Sequence, residues 1–137
     1  MKLIVCLDDK NGMLFMKKRQ SRDRLLIEDV GKQADGETVL MEPYSVPLFE
    51  SSGIPYRASE TPLTDAIPDG ICFNERVRAS AHKDAIDTVI LYRWNRHYPG
   101  DFFFDLDLSD FTRESVYEFP GSSHDKITRE IYKRNPR

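Results

Sequence analysis

The sequence predicts an α/β fold: three layers built on a mixed sheet, mainly parallel, with an antiparallel strand at its C-terminal end. Three observations predict it. Lys2 to Leu7 is a nearly unbroken apolar run, the pattern of a strand covered on both faces. Helix-like segments separate the next apolar runs, and a strand that returns to the same sheet edge through a crossover lies parallel to its neighbour. Residues 111–119 and 126–133 close the chain as two alternating runs, the pattern of an antiparallel pair.

Each element follows from its residues. Asp8-Asp9-Lys10-Asn11-Gly12 ends the first strand as a turn cluster, and Met13 to Met16 reads as an apolar loop. A helix is expected at 21–31, with Ser21 as N-cap, Asp23 as a first-turn acid, Leu25, Leu26 and Val30 on its apolar side, and Gly31 as its stop. Residues 37–41 form a short buried strand. Pro43 then opens a second helix, which Pro47 keeps short or irregular. Residues 53–57 are a weak strand, 59–69 a loop and 70–74 a further short strand. Residues 75–86 carry at least a helical turn, and 87–94 is the strongest strand of the chain. In the last strand Ile127, Arg129 and Ile131 share a face, with Tyr132 opposite. Gly121 to His124 is too long a link for a two-residue hairpin.

The 137 residues form a single domain, 1–137, long enough to bury a core without disulfides or metal. Hydrophobic residues make up 39% and charged residues 31%, which is not a disordered composition. A net charge of −3 excludes the global basic field of most nucleic-acid binders. Cys6 and Cys72 sit in apolar runs and read as buried free thiols. The N-terminus carries no signal-peptide pattern, and no segment approaches the roughly 20 apolar residues of a membrane helix. A cytoplasmic protein without membrane contact is the expectation.

Several of these segments resemble dihydrofolate reductase. The first strand ends in an acidic turn. Thr38-Val39-Leu40-Met41 precedes a helix, like that family's second strand. Leu91-Tyr92 through Gly100-Asp101 and Phe104 is similar to its strand-turn-strand segment with a GDxxF element, and 111–119 and 126–133 resemble its last two strands. The resemblance implies a dihydrofolate-reductase-like architecture. It also implies four functional features, and the sequence departs from each. The family's buried pterin-holding carboxylate would be Asp23, but Arg22 and Arg24 flank it. Its phosphate-binding Gly-Arg-x-Thr element reads Glu42-Pro43-Tyr44-Ser45, where an acid would repel phosphate. Its Gly-Gly approach to the pyrophosphate falls within Gly70 to Asn74, with bulk in place of glycine. Its threonine near the pterin is Tyr92. Reductase activity and a nicotinamide cofactor are therefore not expected.

Three functional readings remain. The first is a non-reductase protein binding a small anionic or nucleotide-like ligand at the C-terminal ends of the central strands, with Asp8, Arg19, Ser21, Asp23, Tyr44 and Arg93 around it. Lys17, Lys18, Arg19, Arg22 and Arg24 near a helix start supply the cations, and the helix amides a place for an anion. The second is an RNA-acting protein such as a metal-independent ribonuclease. His97 and His124 are its catalytic candidates, and Arg93, Arg96 or Lys126 would steady the phosphate. The third is a protein-binding module of inhibitor or immunity type. No metal site is expected, because His82, His97 and His124 lack ligand spacing. The run Ser122-Ser123-His124-Asp125 does not read as a hydrolase triad, whose members converge from separate segments.

Overall fold

A computed structural model describes residues 1–137. Its strands are β1 (Lys2–Leu7), β2 (Gly12–Phe15), β3 (Lys18–Arg19), β4 (Val39–Met41), β5 (Tyr56–Ala58), β6 (Ile71–Phe73), β7 (Thr88–Arg93), β8 (Phe102–Phe103), β9 (Phe111–Phe119) and β10 (Ile127–Arg134). The main sheet has the order β5-β4-β6-β1-β7-β10-β9. It is parallel from β5 to β7, and β10 and β9 join antiparallel. This is the mixed sheet expected from the sequence.

β1 lies at the centre because it can be covered on both faces. Leu3, Val5 and Leu7 point into one core cluster, with Val89, Leu91, Leu106 and Phe111; Ile4 points into the other, with Leu26, Val30, Phe73, Tyr92 and Trp94. Helix α1 (Arg24–Ala34) covers the second cluster with Leu26, Ile27 and Val30. The opposite layer is thinner: a one-turn helix α2 (Pro62–Asp65), a 3₁₀ segment Ala79–Ala85 and loop residues such as Phe104 and Leu106. No helix is long and apolar enough to cross a membrane.

Several expectations need correction. The helix starts at Arg24, with Asp23 and not Ser21 as its N-cap. It runs through Gly31 to a cap at Asp35 in left-handed conformation. Gly31 is there because Ile54 packs against the helix; a Cβ would lie 3.0 Å from its side chain. The expected loop at Met13 to Met16 is instead strand β2 of a second sheet, β3-β2-β8, turned at Met16 and Lys17 with both φ positive. Of its two partner strands, β3 is local but only two residues long and β8 is far off in sequence, so no local pattern revealed the sheet. The expected loop at 59–69 contains α2. The segment after β4 is a 3₁₀ helix, Pro43–Leu48, consistent with Pro47 preventing a regular α-helix. The strand expected at 87–94 ends at Arg93, and Asn95 just beyond it is left-handed (φ 58°).

Candidate functional site at the N-terminus of the helix

The C-terminal ends of β1, β6 and β7 bring Cys6, Phe73, Asn74, Glu75 and Trp94 to one edge, facing the start of α1. Between them and Arg19, Gln20, Asp23 and Leu26 lies a chamber of about 20 Å³. That suffices for a water molecule and not for a ring. The Gln20 amide beside it has both Nε2 and Oε1 buried without a hydrogen-bond partner. The chamber shares the wall Arg22, Asp23, Ile27 and Leu48 with an outer groove of about 330 Å³, bordered by Pro47, Ser51 and Ser52. Arg22 is exposed and pairs with no acid.

Asp23 is 4% exposed. Its Oδ1 accepts the N–H groups of Leu25 (3.0 Å), Leu26 (3.1 Å) and Ser122 (3.0 Å); its Oδ2 accepts that of Ser123 (2.8 Å). The hydroxyls of Ser122 and Ser123 add two more bonds. Burial opposes its ionisation, but the Ser122, Ser123 and Leu26 amides and the Ser123 hydroxyl outweigh it and hold the carboxyl well below the usual range. The helix amides that an outside anion would use are thus occupied by a carboxylate of the chain itself. Both oxygens of Asp23 are committed.

His124 sits under this loop, 5% exposed and stacked on Trp94 with ring centroids 4.6 Å apart. Its Nδ1 lies 2.9 Å from Ser123 Oγ and 3.6 Å from Asp23 Oδ2, and its Nε2 3.1 Å from the Tyr98 hydroxyl. Burial, partly offset by Asp23, pushes its pKa below the ordinary value. The serine and the aspartate share one ring nitrogen. A nucleophile–base–acid relay needs them on opposite nitrogens, so the geometry agrees with the sequence in giving no triad.

A second polar cluster fills the space between the ends of β4 and β6. Glu75 Oε2 accepts Arg19 Nε at 2.6 Å, and its Oε1 accepts Arg19 Nη2 at 2.8 Å and the Ser45 hydroxyl at 2.7 Å. Arg19 also donates through Nη2 to the Tyr44 carbonyl, and its backbone N–H to the Tyr44 hydroxyl. The guanidiniums of Arg19 and Arg76 lie 4.6 and 4.3 Å from the Tyr44 ring centroid, and Arg76 pairs with Glu42. Glu42, Tyr44 and Ser45, the positions that the family resemblance assigned to a cofactor phosphate, are thus interlocked with Arg19, Glu75 and Arg76. The residues present do not fit a dinucleotide.

Arg19, Ser21 and Asp23 therefore line the chamber, and Tyr44 braces Arg19. Asp8 does not line it. Its buried carboxylate accepts the N–H groups of Lys10 (2.9 Å), Gly12 (2.7 Å) and Tyr98 (3.0 Å), which fixes the turn after β1. His97 is a half-exposed neighbour of Asp8 at 3.8 Å, whereas the ring nitrogens of His124 face Tyr98 and Ser123. Arg93 lies on the opposite face of the sheet, bonded to Glu130. Gln20 belongs to the polar segment before the helix that the sequence offered to an anion; sequence reasoning missed Glu75 and Trp94 as chamber residues. Of these only Trp94 carried a signal, as a core anchor at the end of the strongest strand.

No family model matches the sequence, and no curated protein matches it. Among solved structures, a dihydrofolate reductase from Enterococcus faecalis, complexed with NADP(H) and RAB-propyl, is similar. The likeness has a TM-score of 0.65 and 13% identity, and covers 98% of this chain and 96% of that one. At that identity the likeness concerns the fold and not the chemistry. The chain has a dihydrofolate-reductase-like fold, an α/β mixed sheet that is mainly parallel with an antiparallel C-terminal strand.

Proposed function

We propose that this chain is a non-reductase protein of dihydrofolate-reductase-like fold that binds a small anionic or nucleotide-like ligand in the groove beside α1. The observation that carries the reading is Arg22, an arginine without an acidic partner on the wall common to the chamber and the groove. An anion would pair with it and not with the helix amides, which Asp23 fills. The apolar wall of Ile27, Pro47 and Leu48 would take a ring or chain. The Arg19–Glu75–Tyr44 cluster supports the absence of nicotinamide chemistry.

Thermal-shift measurements with nucleotides, phosphates, folates and NADPH test this. Stabilisation by a nucleotide or another small anion that Arg22→Glu abolishes is the expected result. Stabilisation by NADPH, or by none of the panel, would overturn it. The ribonuclease reading has less support, because His124 is buried with both ring nitrogens engaged by Tyr98 and Ser123; intact RNA after incubation is the expected outcome. Capture of a protein partner with no ligand response would favour the protein-binding module.

A further inference from the structure

Arg93 stands in a cluster on the face of the sheet away from α1. Glu130 lies in the neighbouring strand β10, its side chain 9% exposed. Its Oε2 accepts Arg93 Nε at 2.8 Å and its Oε1 accepts the Tyr132 hydroxyl at 2.6 Å. Arg93 Nη1 donates to Asn11 Oδ1 at 2.9 Å. A second guanidinium, that of Arg113 in β9, reaches only to 3.9 Å from Glu130 Oε1 and is 55% exposed. Burial opposes ionisation of Glu130, but the Tyr132 and Arg93 hydrogen bonds outweigh it and hold its pKa below the ordinary value. One carboxylate thus faces two cations, leaving a surplus positive charge.

The backbone sets this arrangement. From Phe119 to Ser115 the β9–β10 register is regular, and Ser115 stands opposite Ile131. Continued unchanged, it would set Glu114 opposite Tyr132. A β-bulge shifts it and sets Arg113 there instead. The bulge therefore replaces an acid with a base on the face that carries Glu130 and Arg93, while Glu114 pairs with Lys133. Bulges that redirect a side chain in this way are common beside functional sites. The other acid of the neighbouring strand, Glu118, is paired with Lys126.

We propose that Arg93 and Arg113 form a seat for a phosphate group, separate from the groove beside α1. Arg93 Nη2 and the Arg113 guanidinium have no hydrogen-bond partner within the chain, and a phosphate oxygen offers charge-assisted acceptors to the two forks. The phosphate could be a terminal group or part of a nucleic-acid backbone.

The test is titration of the intact chain with inorganic phosphate, followed through the arginine Nε–H resonances, and then with a mononucleotide and a single-stranded RNA oligonucleotide. Phosphate is expected to move the Arg93 and Arg113 signals. Arg113→Gln should weaken binding by about tenfold, and Glu130→Gln should tighten it by removing the competing charge. A purely structural cluster would not give opposite signs. Equal affinity for phosphate and mononucleotide would assign a terminal group; tighter, salt-dependent RNA binding would assign a phosphodiester. Unmoved arginine signals, or an Arg113→Gln affinity equal to that of the unaltered chain, would overturn the proposal. Arg113 is exposed, so that variant decides alone if Glu130→Gln does not fold. Arg22→Glu leaves this seat intact, which separates its failure from that of the groove.

Discussion

Two carboxylates, one buried and one largely so, 52 positions apart in sequence, flank the same chamber and are held in opposite ways. Asp23 is fixed by backbone amides of its own helix and of the 122–123 segment. Glu75 is fixed by side chains alone, those of Arg19 and Ser45. Backbone donors are held by the fold and cannot turn away, so Asp23 is part of the frame. Side-chain donors must be ordered for each bond, and an arginine can leave without disturbing the sheet. One side of the chamber is therefore built rigid, and the other is closed by contacts that a single substitution opens.

The sharpest way to break this contrast is to remove the backbone-held acid. Asp23→Ala strips the helix cap and leaves the buried amide of Leu26 and the partly buried amides at 25, 122 and 123 without that acceptor. A loss of about 3 kcal/mol is expected, read as a fall in Tm of about 10 °C. A loss no larger than that of a surface substitution would place the anchoring elsewhere. Glu75→Gln should cost less, about 1–2 kcal/mol, by weakening one charged hydrogen-bond network around a mostly buried arginine. Combining it with Arg19→Met should cost less than the sum of the two single changes in a double-mutant cycle, because the pair is then removed together. Additive losses would mean that the two residues do not act as a unit.

Acidification sharpens the comparison. His124 has a folded pKa below that of the unfolded chain. Its contribution is intact above about pH 6.5 and is lost as pH falls below that value. Asp23 is also depressed, so its contribution is intact above about pH 3.9 and is lost at more acid pH, as its lower folded value is approached. Denaturant unfolding measured across this range should show two successive losses of stability. His124→Gln should abolish only the upper one. The smallest effect belongs to the exposed Arg24–Glu28 pair one turn into α1; Arg24→Ala should change stability by about 0.3 kcal/mol, within the error of most measurements.

These contrasts also mark how far the sequence could be read. β1, β7, β9 and β10 were legible because each carries its period or its unbroken apolar run within a few residues. The small sheet β3-β2-β8 was not, since Leu14 and Phe102 meet across most of the chain. Asp23 was legible as an acid at a helix start. That it also gathers the Ser122 and Ser123 amides, about 100 residues away, was not. Arg19, Ser21 and Asp23 come together at the chamber, as neighbours in sequence can. Arg93 was placed with them and lies on the other face, because which side of a strand meets a helix depends on sheet order and not on alternation alone.

By itself the sequence determined the class of fold, the succession of its principal strands along the chain, the departure from the resembled family's glycine motif, and the irregular turn that Pro47 forces on the segment after β4. Those follow from local rules: side-chain period, backbone freedom and missing N–H donors. Only the tertiary structure decided that Asp23 fills its own anion site, that Glu75 and Arg19 close the strand ends, and that a bulge turns Arg113 toward Glu130. Each depends on which distant segments become neighbours, and that is set by how the whole chain packs its two cores.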